Sequence, residues 1–487
     1  MTTDNWFQTW HPPANIIPQE NSLYVAPNVI NFNLTHDGHH RNRLSRPDNI
    51  LPYLLSLTMV KSDRGQRYRG PKYGDRLPPM ERTGPFYTWY QWSVIDFVYP
   101  SDMEREEAIL FEDFIPKNNL PLGLEVYKDR MFVTMPKWKP GVPATLAVLP
   151  RIPKERSPPL VPYPNWSWHK AGTCEGITSV FRIQADSCGR LWVLDSGLIH
   201  VTVDPKQICH PQLLIFDLET DDLLTKYVLP AEFIKEDGLY SNILVDIRDN
   251  DCVNVHAYLA DVWRFGLVVF SLEKMRAWRI TDHLFFPDPL AARYKLHHLE
   301  FDWTDGLFGL SLSPYNKYYP DRTLYFHSMS GFREFYVKTS VICNETGWAD
   351  VKDAFKVMGQ SRGSSGHVSS SWMDRNGIMF YNLVTRDSVG CWDSRKPYKR
   401  SNLGVVAKSR ETLVFPNDIK IDQEPRQSVW VLSNLLPYYL YEGLKDDHIN
   451  FRIMSAYTDE AIRGTICDPN VSTYDTYIEY ESEEDCY

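Results

Sequence analysis

Six segments of this chain repeat one short pattern. Arg130-Met-Phe-Val-Thr-Met, Arg190-Leu-Trp-Val-Leu-Asp195, His256-Ala-Tyr-Leu-Ala-Asp261, Arg322-Thr-Leu-Tyr-Phe-His327, Gly377-Ile-Met-Phe-Tyr-Asn382 and Ser428-Val-Trp-Val-Leu-Ser433 align by eye. Each follows a shorter apolar strand across a Gly/Asp/Asn turn, and most precede a third. The first strands open near Gly123, Gly176, Asn242, Gly306, His367 and Asn417, so the units recur every 50 to 66 residues. A small-sheet unit of this kind cannot bury its own faces and stacks on its neighbours. Six units of about four strands, with no long helical pattern, predict an all-β, six-bladed β-propeller. A β-solenoid would use shorter and more uniform repeats.

Third strands are read at Thr145, Gln212, Gly266, Arg333 and, for the last unit, Tyr438-Tyr-Leu-Tyr441. Trp92-Ser-Val-Ile-Asp-Phe-Val-Tyr99 alternates apolar and polar residues like a half-buried strand. It is expected as the outer strand of the last blade, closing the ring and removing two exposed sheet edges. The organisation read from this is an N-terminal extension at 1–88, mostly disordered, the propeller at 89–468 and an acidic tail at 469–487. The run His36-Asp-Gly-His-His40 in the extension reads as a solvated loop, and no metal site is assigned.

Charge and cysteine usage bound the function. The 487 residues carry a formal charge of −10, which argues against a nucleic-acid partner and suits a cationic small ligand. The apolar run around Leu51 to Val60 is too short to span a bilayer, so no membrane role is expected. No signal peptide is visible at the N-terminus. Eight cysteines nevertheless suggest an oxidising compartment. Cys174, Cys188, Cys209 and Cys252 fall close together and allow three disulfide pairings. Their spacing lacks the close pairs of a zinc site. Sequons at Asn33, Asn165, Asn344 and Asn470 add glycosylation candidates. A secreted, extracellular protein is the expectation.

Across roughly Trp92 to Asp468 the chain resembles the yellow / major royal jelly protein family of insects. The resemblance rests on Pro136-Lys-Trp-Lys-Pro-Gly-Val-Pro-Ala-Thr-Leu146, Cys174-Glu-Gly-Ile-Thr-Ser-Val180, Cys188-Gly-Arg-Leu-Trp-Val-Leu-Asp-Ser-Gly197 and Pro211-Gln-Leu-Leu-Ile-Phe-Asp-Leu218. Tyr258-Leu-Ala-Asp261, Phe265-Gly-Leu-Val-Val269, Gly390-Cys-Trp392 and Ala461-Ile-Arg-Gly-Thr465 follow in order. It implies a secreted six-bladed propeller linked to cuticle pigmentation and melanin chemistry. Some members of that family resemble dopachrome-converting enzymes, and some bind biogenic amines in the central channel. The chain departs from the family at its start, where an extension of some 85 residues stands in place of a signal peptide.

The innermost strands of a propeller line its channel, so function is sought at their starts. These supply Glu125, Glu175, Asn242, Asp246, Asp305, His367, Asn417 and Asp418, with Asn434 as a further mouth residue. Three readings compete. In the first, carboxylates such as Glu175 and Asp418 pair with the ammonium of an aromatic amine, and channel aromatics stack on its ring. In the second, a dopachrome tautomerase-type isomerase, His367 moves a proton with Glu175 or Asp418 as partner. His297-His298-Leu-Glu300 is another candidate there, although it reads better as a loop. In the third, Glu175, Asn242, Asn417 and Asp418 hold Ca²⁺ in a lactonase-like hydrolase.

No nucleophile elbow, P-loop, dinucleotide fingerprint or HExxH motif occurs, and no cofactor is expected. Gly359-Gln-Ser-Arg-Gly-Ser-Ser-Gly366 lacks a phosphate-loop ending and reads as the approach to the fifth blade. Trp192, Trp392 and Trp430 read as blade core. The expected partner is a small aromatic amine or quinone in the channel, bound or converted there.

Overall fold

A computed structural model describes residues 81–471, apart from positions 171 and 236. The sequon at Asn33, the histidines at 36–40 and the tail beyond 471 lie outside the described residues. Six antiparallel sheets form the blades of a β-propeller. Their innermost strands are Gly123–Tyr127, Val180–Ala185, Tyr240–Asp246, Leu307–Leu312, Val368–Met373 and Pro416–Ile421. Each touches the next, and the sixth touches the first, which closes the ring.

The repeated segments are the second strands of the six blades. They are buried almost throughout because both faces pack against neighbouring blades. Trp192, Tyr240, Ile243 and Phe270 fill the seam between blades 2 and 3. Tyr258, Trp278, Leu310 and Phe326 fill the next. Trp192, Trp392 and Trp430 are all buried, each in a different core cluster. The acidic ends of two of these strands have a local purpose. Asp195 accepts the N–H groups of Thr178, Ser179 and Gly197, and Asp261 accepts those of Leu239 and Arg264. They fold the incoming loops onto the strand ends.

The ring closes as expected in kind, but with another segment. Phe86–Trp92, whose alternate residues are buried, pairs with Phe451–Tyr457 in blade 6. Beyond Trp92 the chain leaves this sheet and runs along blade 1, which it meets at the Phe97–Leu160 bridge. Tyr438–Tyr441 is not a strand. Leu435 takes a left-handed conformation, Pro437 sits in the first turn, and Leu436–Tyr441 is helical. Phe451–Tyr457 is the true third strand of the last blade. Gly176 to Ser179 is loop, and the strand of blade 2 begins at Val180.

Cys174 pairs with Cys209 and Cys188 with Cys252, which selects one of the three arrangements. A third disulfide joins Cys391 of blade 5 to Cys467. Cys343 is a free thiol. Asn165, Asn344 and Asn470 are all exposed. No helix among the described residues is long and apolar enough to cross a membrane.

Candidate functional site

Side chains two residues apart on the innermost strands share the channel face. On the sixth strand these are Asp418 and Lys420, and on the second Arg182 and Gln184. Together with Glu125 they place two cations and two carboxylates in the middle of the ring, all buried. Arg182 donates to Asn417 Oδ1 at 2.6 Å and to the Leu122 carbonyl, and its Nε lies 3.5 Å from Asp418 Oδ1. Asp418 also accepts the Leu124 N–H at 2.9 Å and the Ser370 hydroxyl at 3.2 Å. Lys420 donates to the Ile183 carbonyl at 2.9 Å, and its Nζ lies 3.9 Å from Glu125 Oε2 and 4.2 Å from the Trp372 ring centre.

These surroundings move the protonation equilibria toward neutrality. Burial raises the Glu125 pKa to about 7, against the opposing pull of Lys420 and the backbone N–H groups of Val126 and Ala185. Burial also lowers the Lys420 pKa, although Asp418 and Glu125 resist the shift. A carboxyl group that titrates near pH 7 beside a cation is equipped for acid–base chemistry.

Next to this cluster, where the innermost strands end, lies a cavity of about 170 Å³. Trp372, Leu312, Val245 and Met373 form its apolar wall, and Gln184 and Gln423 are among its polar groups. Trp372 joins the two features, since its ring lines the cavity and carries the Lys420 ammonium. The dimensions and lining suit a small planar ring with polar substituents.

The opposite end, where the innermost strands begin, is strapped. A hairpin of Arg293–Leu296 and Leu299–Asp302, inserted between blades 3 and 4, reaches blades 5 and 6. At its tip His297 hydrogen-bonds the Asp387 carboxylate at 2.8 Å and the Tyr438 hydroxyl at 3.0 Å. His298 contacts Glu442, and Trp303 donates to the Tyr441 hydroxyl.

Several expected site residues lie at or near this strapped end. His367 is 1% exposed and stacks on Tyr294 at 3.9 Å. Its Nε2 lies 2.9 Å from the Ala291 carbonyl. Burial lowers its pKa to about 4, so near neutral pH it is an uncharged packing group. Asn434 is spent locally, donating to the Pro121 carbonyl and accepting the Leu436 N–H at the helix start. Asp305 accepts the Trp263 indole N–H at 3.1 Å, and burial raises its pKa to about 6.

Asn242 and Asp246 are likewise engaged. Asn242 bridges to the Phe308 carbonyl at 2.7 Å. Asp246 pairs with Arg248 and Arg322 and accepts the Tyr258 hydroxyl. Burial works to raise the Asp246 pKa, but the two arginines outweigh it and hold the carboxyl below its ordinary value. Glu175 is exposed in the loop before blade 2, where its carbonyl accepts from Lys226. It does not reach the channel.

The oxygens required for a Ca²⁺ site are therefore not gathered. Asn417 and Asp418 hold a guanidinium, Glu175 points elsewhere, and no three His, Cys, Asp or Glu side chains among the described residues come together to hold a metal. Sequence reasoning missed Arg182, Lys420 and Trp372. Arg182 and Lys420 were signalled as lone cations inside innermost strands, each two positions from another polar side chain, whereas Trp372 carried no such signal.

The major royal jelly protein family profile matches residues 178–467. Dopaminechrome tautomerase of Drosophila melanogaster is 44% identical over 396 residues, covering 80% of this chain and 85% of that protein. Protein yellow of Drosophila erecta is 39% identical over 394 residues, covering 79% and 71%. A luciferin-regenerating enzyme structure aligns with a TM-score of 0.40 and 9% identity, over 69% of this chain and 90% of that one. The family profile and the two Drosophila relatives show that the chain belongs to the yellow / major royal jelly protein family.

Proposed function

We propose that this protein is an extracellular propeller of melanin-related physiology that converts a small aminochrome quinone by tautomerisation at the Trp372 end of its channel. The observation that carries this reading is the buried Glu125–Lys420 pair beside a cavity that Trp372 lines. The 44% identity to a dopaminechrome tautomerase supports the substrate class, and the three disulfides support the compartment. In the reaction a proton leaves a ring carbon, the electron pair moves toward a quinone oxygen, and that oxygen takes a proton. Ionised Glu125 is the acceptor of the carbon proton. Lys420 stabilises the developing oxyanion and supplies the proton. Trp372 stacks on the substrate ring, and Gln184 and Gln423 orient its oxygens.

The test is the decay of dopaminechrome and dopachrome with purified protein, measured against their spontaneous rearrangement. Acceleration lost in Glu125→Gln and kept in His367→Ala supports this assignment. The reverse pattern returns the proton transfer to His367. Saturable binding of dopamine or serotonin without any acceleration replaces the enzyme with an amine-binding protein. The Trp372 ring near the buried Glu125 and Asp418 carboxylates is the feature that would favour that second reading.

A further inference from the structure

The Gly/Ser-rich approach to blade 5 is not used by the channel, yet it is firmly built. Arg362, at its centre, is 4% exposed and pairs with Glu334 at 2.8 Å. It also donates to the carbonyls of Gly366 and Gly331 and to the Tyr398 hydroxyl. Glu334 in turn contacts His327. Gly359 has φ +142°, and a Cβ there would meet the Tyr398 carbonyl oxygen at 2.4 Å, so this close approach needs glycine. The loop is thereby fixed from beneath by a buried ion pair and at its start by a backbone clamp.

Its outer side faces an open cleft lined by Arg333, Gly359, Gln360, Ser361 and Arg400. Arg333, Gln360, Ser361 and Arg400 each carry a side-chain hydrogen-bond donor, and no lining residue is acidic. Arg333 donates to the Gly359 carbonyl at 3.1 Å, and Arg400 Nε donates to the Ser361 carbonyl at 3.1 Å. These bonds hold both guanidiniums on the cleft while leaving further N–H groups on each. The Arg400 N–H is met by Gln360 Oε1, which leaves the Gln360 amide N–H₂ for the cleft. Among the described residues no carboxylate pairs with Arg333 or Arg400, although the whole chain carries ten more acidic than basic side chains. An acidic protein that concentrates unneutralised arginines over a rigid loop has the donor set of an oxyanion receptor.

We infer that the cleft between blades 4 and 5 binds a tetrahedral oxyanion, the sulfate or phosphate group of a small ester, between Arg333 and Arg400. Ser361 and Gln360 complete the donors. The guanidinium forks take two oxygens each, and the site is separate from the channel.

Calorimetric titration of the full chain in low-salt buffer tests this, with inorganic sulfate, inorganic phosphate, phenyl sulfate and phenyl phosphate as probes. Saturable binding is expected at about millimolar Kd, weakening as sodium chloride rises. Arg333→Gln with Arg400→Gln should weaken it about tenfold or more, with only a small fall in melting temperature from the two lost loop hydrogen bonds. Arg333→Gln alone removes only one loop hydrogen bond and gives a second, gentler variant. A preference for the sulfur or the phosphorus pair identifies the natural ester. Absence of saturable heat with all four probes, or equal affinity in the double variant, overturns the inference.

Discussion

The two ends of the channel are made of similar materials and do opposite things. Both have aromatic rings, carboxylates and a nitrogen base. At the strapped end the base is His367, stacked on Tyr294 and covered by the hairpin that His297 fastens to Asp387 and Tyr438. At the other end the base is Lys420, stacked on Trp372 with a cavity on the same ring. What separates them is the loop length at each end. The hairpin and other long insertions fill the space over the strand starts, whereas no hairpin of this kind covers the strand ends among the described residues. Position along a strand therefore places a residue on the channel axis, but the loops decide whether a ligand can reach it.

The largest expected effect tests whether the middle of the channel is structural. Arg182→Met removes the partner of Asn417 and Asp418 and frees the Leu122 carbonyl inside the ring. Breaking a buried pair in this way costs about 3–5 kcal/mol. Urea denaturation should show the midpoint falling with an unchanged slope. A loss under 1 kcal/mol would mean that water enters the channel freely and that the cluster is part of the open end.

The strapped end makes a prediction about pH. Burial, aided by the charges of Arg362 and Arg386, lowers the His367 pKa to about 4 from 6.5, against its hydrogen bond with Ala291. The unfolded chain takes up a proton near pH 6.5 and the native ring does not until about pH 4. Stability from this group is thus complete above pH 6.5 and falls as pH drops toward 4, by about 3 kcal/mol in total. In His367→Phe this acid limb should flatten, while His169, whose pKa burial lowers to about 3, continues to contribute. An unaltered limb would show that His367 is accessible to solvent, and the contrast between the ends would fail.

Glu125 gives the opposite sign. Its pKa is raised to about 7 from 4.5, so the native carboxyl holds a proton that the unfolded chain has lost. Its contribution to stability is complete below pH 4.5 and fades as pH rises through 7. Activity follows the ionised form and should rise through an ionisation near pH 7. Glu125→Gln should remove that ionisation and lower the conversion rate about a hundredfold. Retention of the pH profile in the variant would move the general base elsewhere.

The same contrast explains what could be read without coordinates. The blade count was legible because the second strands are buried on both faces, leaving six apolar runs with common turn signals. The ring closure was legible in principle, but its strand was placed at 92–99 because Ser93 to Tyr99 also alternates. Only pairing with Phe451–Tyr457 distinguishes Phe86–Trp92. Tyr438–Tyr441 misled because four β-favouring residues outweighed Pro437, whose position marks a helix start. Asn417 and Asp418 do lie on the innermost strand of the sixth blade, where their side chains meet Arg182. Glu175 was misplaced by a strand boundary four residues early, and His367 by taking nearness to the axis for access. Arg182 and Lys420 were passed over because a cation in a buried strand is read as an exception until its partners, distant in sequence, come into view.

The smallest effect is also the most local comparison of the two ends. Trp372→Ala removes a cavity wall and the ring under Lys420, whereas Tyr294→Phe keeps the stack on His367 and loses a hydroxyl bonded to the Met329 carbonyl and Ser330. An aromatic contact with a ligand ring contributes about 1 kcal/mol, so dopamine binding should weaken about fivefold in Trp372→Ala. Tyr294→Phe should leave binding unchanged and lower stability by about 1 kcal/mol through the lost hydrogen bonds. Trp372→Phe should fall between wild type and Trp372→Ala, because a smaller ring still faces the ammonium and the ligand. Titration calorimetry on the three variants separates the ends by which quantity moves. If Tyr294→Phe weakened binding and Trp372→Ala did not, the ligand would enter past the hairpin, and the His297–Asp387 contact would have to open to admit it.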